Sequence, residues 1–176
     1  MAPSHDTTTH EPDQRSADEL AALHREVRAL TDRAAISALV DQYMIALDTA
    51  DERGLDDAWY GSIFTDDVLL DFPIGGYAGL SGLAEHQVKA KRKWARTHHL
   101  SGNHIIALDG DRATVRAQIV ATHVNHGAAR PESLFDIGGH YEADAVRTDA
   151  GWRLCRLAFH LGWSAGELPA TIEDRR

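Results

Sequence analysis

Asp48 is a carboxylate that needs an explanation. It ends the segment YMIALD, after Tyr43, Met44 and Leu47, on the margin of an apolar helical stripe and not opposite it. Taking a carboxylate out of water is unfavourable unless it is paired. Asp48 therefore either reaches solvent at the helix end or meets a partner. Tyr43 precedes it by five residues, about 140° around a helix. Its ring belongs to the stripe, and its hydroxyl is either satisfied in the core or aimed at a cavity.

The chain holds 11 histidines, and His98, His99 and His104 crowd one segment. In an extended strand His99 shares a face with Ser101, Asn103 and Ile105, while His98 and His104 point the other way. A given ion can meet only one of those faces, and the acids are not at ligand spacing, so no metal and no cofactor is assigned. His123 continues the apolar face of Ala117, Ile119 and Ala121 and is expected to look inward. His140 falls on the polar face of its own strand. His24, His86 and His126 read as surface residues. Bulges leave the facing of His160 and Trp163 open. An aspartate meeting one of these imidazoles would form a dyad. The carboxylate fixes the tautomer and stabilises the protonated ring, leaving the other nitrogen as a general base near neutral pH. No Ser or Cys sits in a nucleophile elbow, which argues against covalent catalysis. The single cysteine, Cys155, excludes an internal disulfide and a thiolate metal cluster.

For these residues to meet, the elements must bring a helix end against a sheet. Residues 1–16 carry Pro, Ser, Thr and charge with almost nothing apolar, and read as a disordered tail holding His5 and His10. From Ala17, the residues Leu20, Leu23, Val27 and Leu30 follow a helical spacing. Asp32 is expected to cap a second helix. That helix carries Ile36, Leu39, Val40, Tyr43, Met44 and Leu47 and ends near Asp51. A third helix is predicted over 54–64, presenting Trp59, Ile63 and Phe64, and broken by Asp66 and Asp67. A strand is expected over 68–72, a turn-rich link over 73–79 and a helix over 81–95. The basic end of that helix (Lys89, Lys91, Arg92, Lys93, Arg96) complements its dipole or forms a lip for an anion. Strands follow over 97–108, 112–125, 134–147 and 152–163, separated by Asp109-Gly110-Asp111, a loop at 127–133, and Asp149-Ala150-Gly151. The expected fold class is α+β, with helices on one face of a curved, mostly antiparallel sheet. One domain is expected over 17–168, with a flexible tail at 169–176.

Composition narrows the function classes. In 176 residues, 18 Lys+Arg face 27 Asp+Glu, a formal net charge of −9. Such a surface repels phosphate backbones and anionic lipid, so neither nucleic acid nor membrane is expected as a partner. No apolar run approaches the roughly 20 residues of a membrane span, and the basic-then-apolar order of a signal peptide is missing at the N-terminus. A cytoplasmic location is expected.

The run DRAAISALVDQYMIALD, then IFTDD, THHLSGNH, DGDRA and GHYEADAVRTDAGWRL, resembles the SnoaL-like branch of the NTF2-like superfamily over about residues 31–166. The resemblance implies a cone-shaped fold with one deep apolar pocket. It implies an Asp48–His99 dyad, with His99 four residues before Asn103, and a third catalytic residue in Tyr43. A tyrosine there favours the dehydratase or cyclase side of the family over the dehydrochlorinases, which carry a lysine. Leu157, beside Arg156, falls where a dehydrochlorinase has a basic residue. Substrate contacts are expected from Trp59, Phe64, Asn103, His123 and Tyr141. The implied activity is that of a cofactor-independent lyase or isomerase on a small, largely apolar metabolite. An Ala- and Arg-rich composition like that of high-GC actinobacterial proteins associates it with natural-product, polyketide-like pathways. The alternatives are a non-catalytic binding or assembly module and an epoxide hydrolase of the same fold. The outward Val120, Val124, Leu134 and Val146, on strands whose outer face relatives commonly bury, point to a homodimer.

Overall fold

The computed structural model describes residues 14–73, 75–126, 134–166 and 168, Asp51 by its backbone alone. The readings of residues 1–13 and 169–176 as tails and of 127–133 as a loop lie outside the described residues.

No Gly or Pro interrupts the chain from Gln14 to Arg53, and the whole stretch is one 40-residue helix, α1 (Gln14–Arg53). Asp32 does not cap a second helix, because without a breaker before it the preceding turn stays helical. Its carboxylate instead reaches sideways to the sheet. The two halves of α1 differ. Leu20, Leu23, Val27 and Leu30 are exposed, whereas Ile36, Val40, Tyr43, Met44 and Ala46 are buried. The helix stops at Gly54, which takes the left-handed φ of 61° while Leu55 N–H reaches back to the Ala50 carbonyl at 3.2 Å.

The predicted third helix shrinks to one turn, α2 (Asp57–Tyr60), capped by Asp56, whose carboxylate accepts from Trp59 N–H at 2.8 Å. Phe64, Asp66 and Asp67 belong to the next strand, β1 (Phe64–Asp71), where both aspartates are exposed at a break in its register. The turn-rich link contains a two-residue strand, β2 (Tyr77–Ala78), paired to β1. Then come α3 (Leu83–Lys91), β3 (Arg96–Asp109), β4 (Arg112–Val124), β5 (Leu134–Thr148) and β6 (Gly151–Gly166). The Asp57 carboxylate accepts from Gly82 and Ala84 N–H at 2.6 and 2.8 Å, tying α2 to the start of α3.

The six strands form one sheet in the order β2-β1-β6-β5-β4-β3, antiparallel except where β1 runs parallel to β6. The alternation expected for β4 holds: Ala113, Val115, Ala117, Ile119 and Ala121 are buried, and the residues between them are not. They meet Tyr141, Ala143 and Ala145 of β5, and Leu154 and Leu157 of β6, beneath the second half of α1. The sheet is bent by bulges. At Gly138 and Gly139 of β5 the register against β6 slips, and a Cβ on Gly138 would sit 2.2 Å from the Trp163 ring. Only glycine lets that indole lie against the backbone.

A second bulge lies in β3 between Gly102 and Ile105, with Asn103 at φ 54°. Asn is among the few residues that tolerate this conformation. The extra residue shifts the strand's phase by one. Before it, Thr97, His99 and Ser101 face α1. After it, His104, Ile106 and Leu108 do, while Ile105 is 69% exposed. The sequence-based facing of Asn103, His104 and Ile105 is therefore reversed.

Candidate functional site

The last turns of α1 lie across β3, and there Asp48 meets the sheet. Its Oδ1 accepts from the His99 Nδ1–H at 2.7 Å and from Thr97 Oγ1 at 2.8 Å, and its Oδ2 accepts from His99 N–H at 2.8 Å. A carboxylate facing the imidazole assigns the ring proton to Nδ1 and leaves Nε2 with its lone pair. Burial works to raise the Asp48 pKa, but the His99 ring and backbone donors outweigh it and hold the carboxyl below its usual range. The Asp48 carbonyl also accepts from Lys91 Nζ. That cation of the basic α3 end therefore serves the neighbouring helix.

His99 is nearly enclosed, with a side chain 9% exposed. Edge-on to it, at 5.4 Å between centroids, stands His123, itself covered by Trp94 at 4.6 Å and flanked by Phe135. His123 Nδ1 lies 3.1 Å from the Phe135 carbonyl, which can only accept, so this ring too keeps Nε2 unprotonated. Burial, then the neighbouring His99, pushes its pKa below the usual histidine value. Two adjacent imidazoles thus differ in kind. One gives its Nδ1 proton to a carboxylate, and the other gives it to a backbone carbonyl.

Tyr43 is fully buried, with its ring edge-on to Phe64 at 5.0 Å. Its hydroxyl oxygen accepts from Gln87 Nε2 at 2.8 Å, which leaves the phenolic proton free to donate elsewhere. Burial raises its pKa well above the ordinary tyrosine value, so it remains a neutral donor. Tyr141 is buried beside Phe72 and Phe159 at 6.3 and 5.4 Å, and burial raises its pKa as well.

The expected site residues thus divide. Asp48 and His99 are in direct contact, with His123 beside them. Tyr43 and Phe64 touch each other, and Tyr141 packs with Phe72 and Phe159. Trp59 is on α2, packed against Tyr60 under the Arg53 guanidinium. Asn103 is exposed at the bulge and faces away from α1. His104 moves inward, its Nδ1 2.5 Å from Ser37 Oγ and its Nε2 3.3 Å from Ser101 Oγ. Sequence reading passed over Thr97, Gln87 and Trp94. A threonine two residues before His99, on the same face of the strand, was the available signal for the first. The other two carry no motif. Two open clefts among the described residues lie elsewhere, one on the outer sheet face and one beside α2.

The SnoaL-like domain matches residues 28–158, from the middle of α1 to the middle of β6. The chain belongs to the SnoaL-like family. This SnoaL-like domain is 31% identical over 137 residues to the Mycobacterium tuberculosis protein Rv2910c, covering 74% of this chain and 85% of the relative. Among solved structures it is similar to a candidate scytalone dehydratase from Novosphingobium aromaticivorans, at a TM-score of 0.65 and 20% identity over 79% of this chain and 89% of that one. It is also similar to the type 2 hexachlorocyclohexane dehydrochlorinase LinA, at a TM-score of 0.68 and 20% identity over 84% of this chain and 98% of that one. At that identity the structures share the fold. No helix of the SnoaL-like domain, among the described residues, is long and apolar enough to cross a membrane.

Proposed function

We propose that the protein is a cofactor-independent lyase or isomerase of the dehydratase or cyclase type, acting on a small, largely apolar metabolite. The observation that carries this reading is the 2.7 Å contact between His99 Nδ1 and a partly buried Asp48 carboxylate that accepts from three donors. A structural aspartate needs no imidazole, whereas a histidine acting as a general base gains from a carboxylate that orients its ring and fixes its tautomer. His99 Nε2 removes a proton next to a carbonyl or from a hydroxyl, and Asp48 stabilises the imidazolium that forms. Tyr43 gives its free phenolic proton to the developing oxyanion or to the departing hydroxyl. His123, held neutral by burial, contacts the substrate without competing for the proton. A dehydratase and a dehydrochlorinase among the structures of the same fold support this class of chemistry. The same proposal includes a natural-product substrate and a homodimer through the outer sheet face, where Val120 and Trp163 are about half exposed. Light scattering checks the dimer.

The test is a panel of β-hydroxy carbonyl compounds and their conjugated counterparts incubated with the protein in D2O. Mass spectrometry should show loss of water or uptake of deuterium at one carbon, abolished in His99→Ala and reduced in Tyr43→Phe. Ligands that bind unchanged in mass, with equal affinity in His99→Ala, would reassign the fold here to a binding module.

A further inference from the structure

A second cluster of chemically competent side chains lies on the opposite side of the sheet. His140 of β5 and His160 of β6 are directly paired across the two strands. Glu142 lies two residues beyond His140 and so projects from the same face. The two imidazoles stack, with centroids 4.8 Å apart and ring planes 18° from parallel. Both present Nε2 to the carboxylate: His140 Nε2 lies 3.8 Å from Glu142 Oε1, and His160 Nε2 lies 3.4 Å from Oε2. The three ligand-type atoms lie within 4.8 Å of one another.

We propose that His140, His160 and Glu142 form a binding site for a divalent transition metal of the zinc type. Two imidazoles and one carboxylate are the donor set that zinc takes, at about 2.0–2.2 Å. Ligand atoms around a tetrahedral ion of that radius stand roughly 3.3 Å apart, so small side-chain rotations close the set. Arg116 donates to Glu142 Oε1 at 3.0 Å, which fixes the carboxylate and turns Oε2 toward His160. It plays the part of an outer-shell partner, and its charge also selects a tightly coordinated metal over a loosely held cation. Three protein ligands leave a coordination position open. It adjoins a cleft of about 230 Å³ lined by Ile105, Ala107, Thr114, Arg116, Glu142 and Arg156, which can admit water or a small anion. The ion would bridge β5 and β6 beside the Gly138–Gly139 bulge, where the ladder between them is irregular.

The untagged full chain should be titrated with Zn2+ by calorimetry and with Co2+ by visible absorption near neutral pH. The expected result is one ion per chain, with the Co2+ absorption of a low-coordinate site. His140→Ala and His160→Ala should each weaken binding by at least about tenfold, since loss even of an outer-shell partner costs about 10–100-fold in metal affinity. Glu142→Gln should weaken it as well, and the double histidine variant should abolish it. Zn2+ should raise the melting temperature of the native chain and not that of the double variant, whose own fold is checked by circular dichroism. Undiminished binding by the folded double variant overturns the proposal. So does an absence of Zn2+ binding by the native chain, or a loss of binding in His99→Ala in place of His140→Ala.

Discussion

Two aspartates on the same helix reach down to the same sheet, and their partners separate their roles. At one end of the buried face, Asp32 meets Arg147 Nη2 at 2.5 Å and the Trp152 indole N–H at 3.0 Å, with the Arg147 guanidinium over the indole ring at 4.4 Å. At the other end, sixteen residues along α1, Asp48 meets His99, Thr97 and a backbone N–H. Both carboxyls are held below their usual pKa, Asp32 chiefly by the hydrogen bond from Arg147, Asp48 by its donors against burial. The difference is in the partner. A guanidinium cannot give up its proton in any working pH range, so the Asp32 pair only clamps. An imidazole can, so the Asp48 pair can move protons. An acid buried against a sheet is thus chemically mute or chemically useful according to the residue it faces.

The comparison breaks most sharply at His99. His99→Ala should lower turnover by about 10²–10⁴-fold, the contribution usual for a general base, with the fold intact by circular dichroism. Asp48→Asn should lower it nearly as much, through loss of imidazolium stabilisation and the wrong tautomer. Asp32→Ala should do the reverse. It strands the Arg147 cation and the indole donor and should remove about 2 kcal/mol of stability in denaturant melts, as expected for lost charged hydrogen bonds. Its kcat should be unchanged. A turnover defect in a folded Asp32→Ala protein would erase the distinction.

A pH series sharpens the chemical end. His123 is flanked by His99, Asp48 and Asp136, and its pKa is lowered in the fold by burial first. The unfolded chain therefore binds a proton at His123 at a higher pH than the native chain does. The stabilisation from this group is complete above the unfolded value of about 6.5 and is lost as pH falls from there through the folded value. His123→Phe should flatten that part of the stability–pH curve, read from urea midpoints at each pH. An unchanged slope would mean that the ring is not held neutral.

The smallest expected effect concerns His104. On strict strand parity it faces away from α1 and its loss should be silent everywhere. Its contacts with Ser37 and Ser101 instead make it a brace that holds the β3 bulge against α1. His104→Ala should lower stability by about 1 kcal/mol, the worth of a typical internal hydrogen bond, and leave kcat alone. EDTA, likewise, should leave turnover unchanged, because the metal cluster proposed above is on the other face of the sheet.

What the sequence made legible follows from which signals are periodic. β4 alternates without interruption and β5 does so from Tyr141 onward, and Gly110 and Gly151 mark the turns, so the antiparallel sheet could be read directly. The apolar stripe from Ile36 to Met44 located the buried half of α1. The pairing of Asp48 with His99 is 51 residues long in sequence. No periodicity reports such a contact, and only the family resemblance suggested it. The failures are local. Asp32 has the residue type of a helix cap, but capping competes with an unbroken run of helix formers and loses. The bulge in β3 is hidden by Ile105-Ile106, two adjacent apolar residues that fit either phase. The pair Gly102-Asn103 was the mark left visible. The indole of Trp163 over Gly138 depends on a close approach that neither residue announces alone.

The Asn103 bulge makes β3 two strands read in different frames. Residues 97–101 and residues 104–108 each present one face to α1, but no single alternation serves both. Their side chains can therefore drift independently. The segment carrying His99 can exchange its inward set for another chemistry without disturbing Ile106 and Leu108, which pack the core. A lineage that deleted this one residue would fuse the two frames and would have to choose which set to keep inside. The bulge is thus a joint between a part of the molecule free to change and a part that is not.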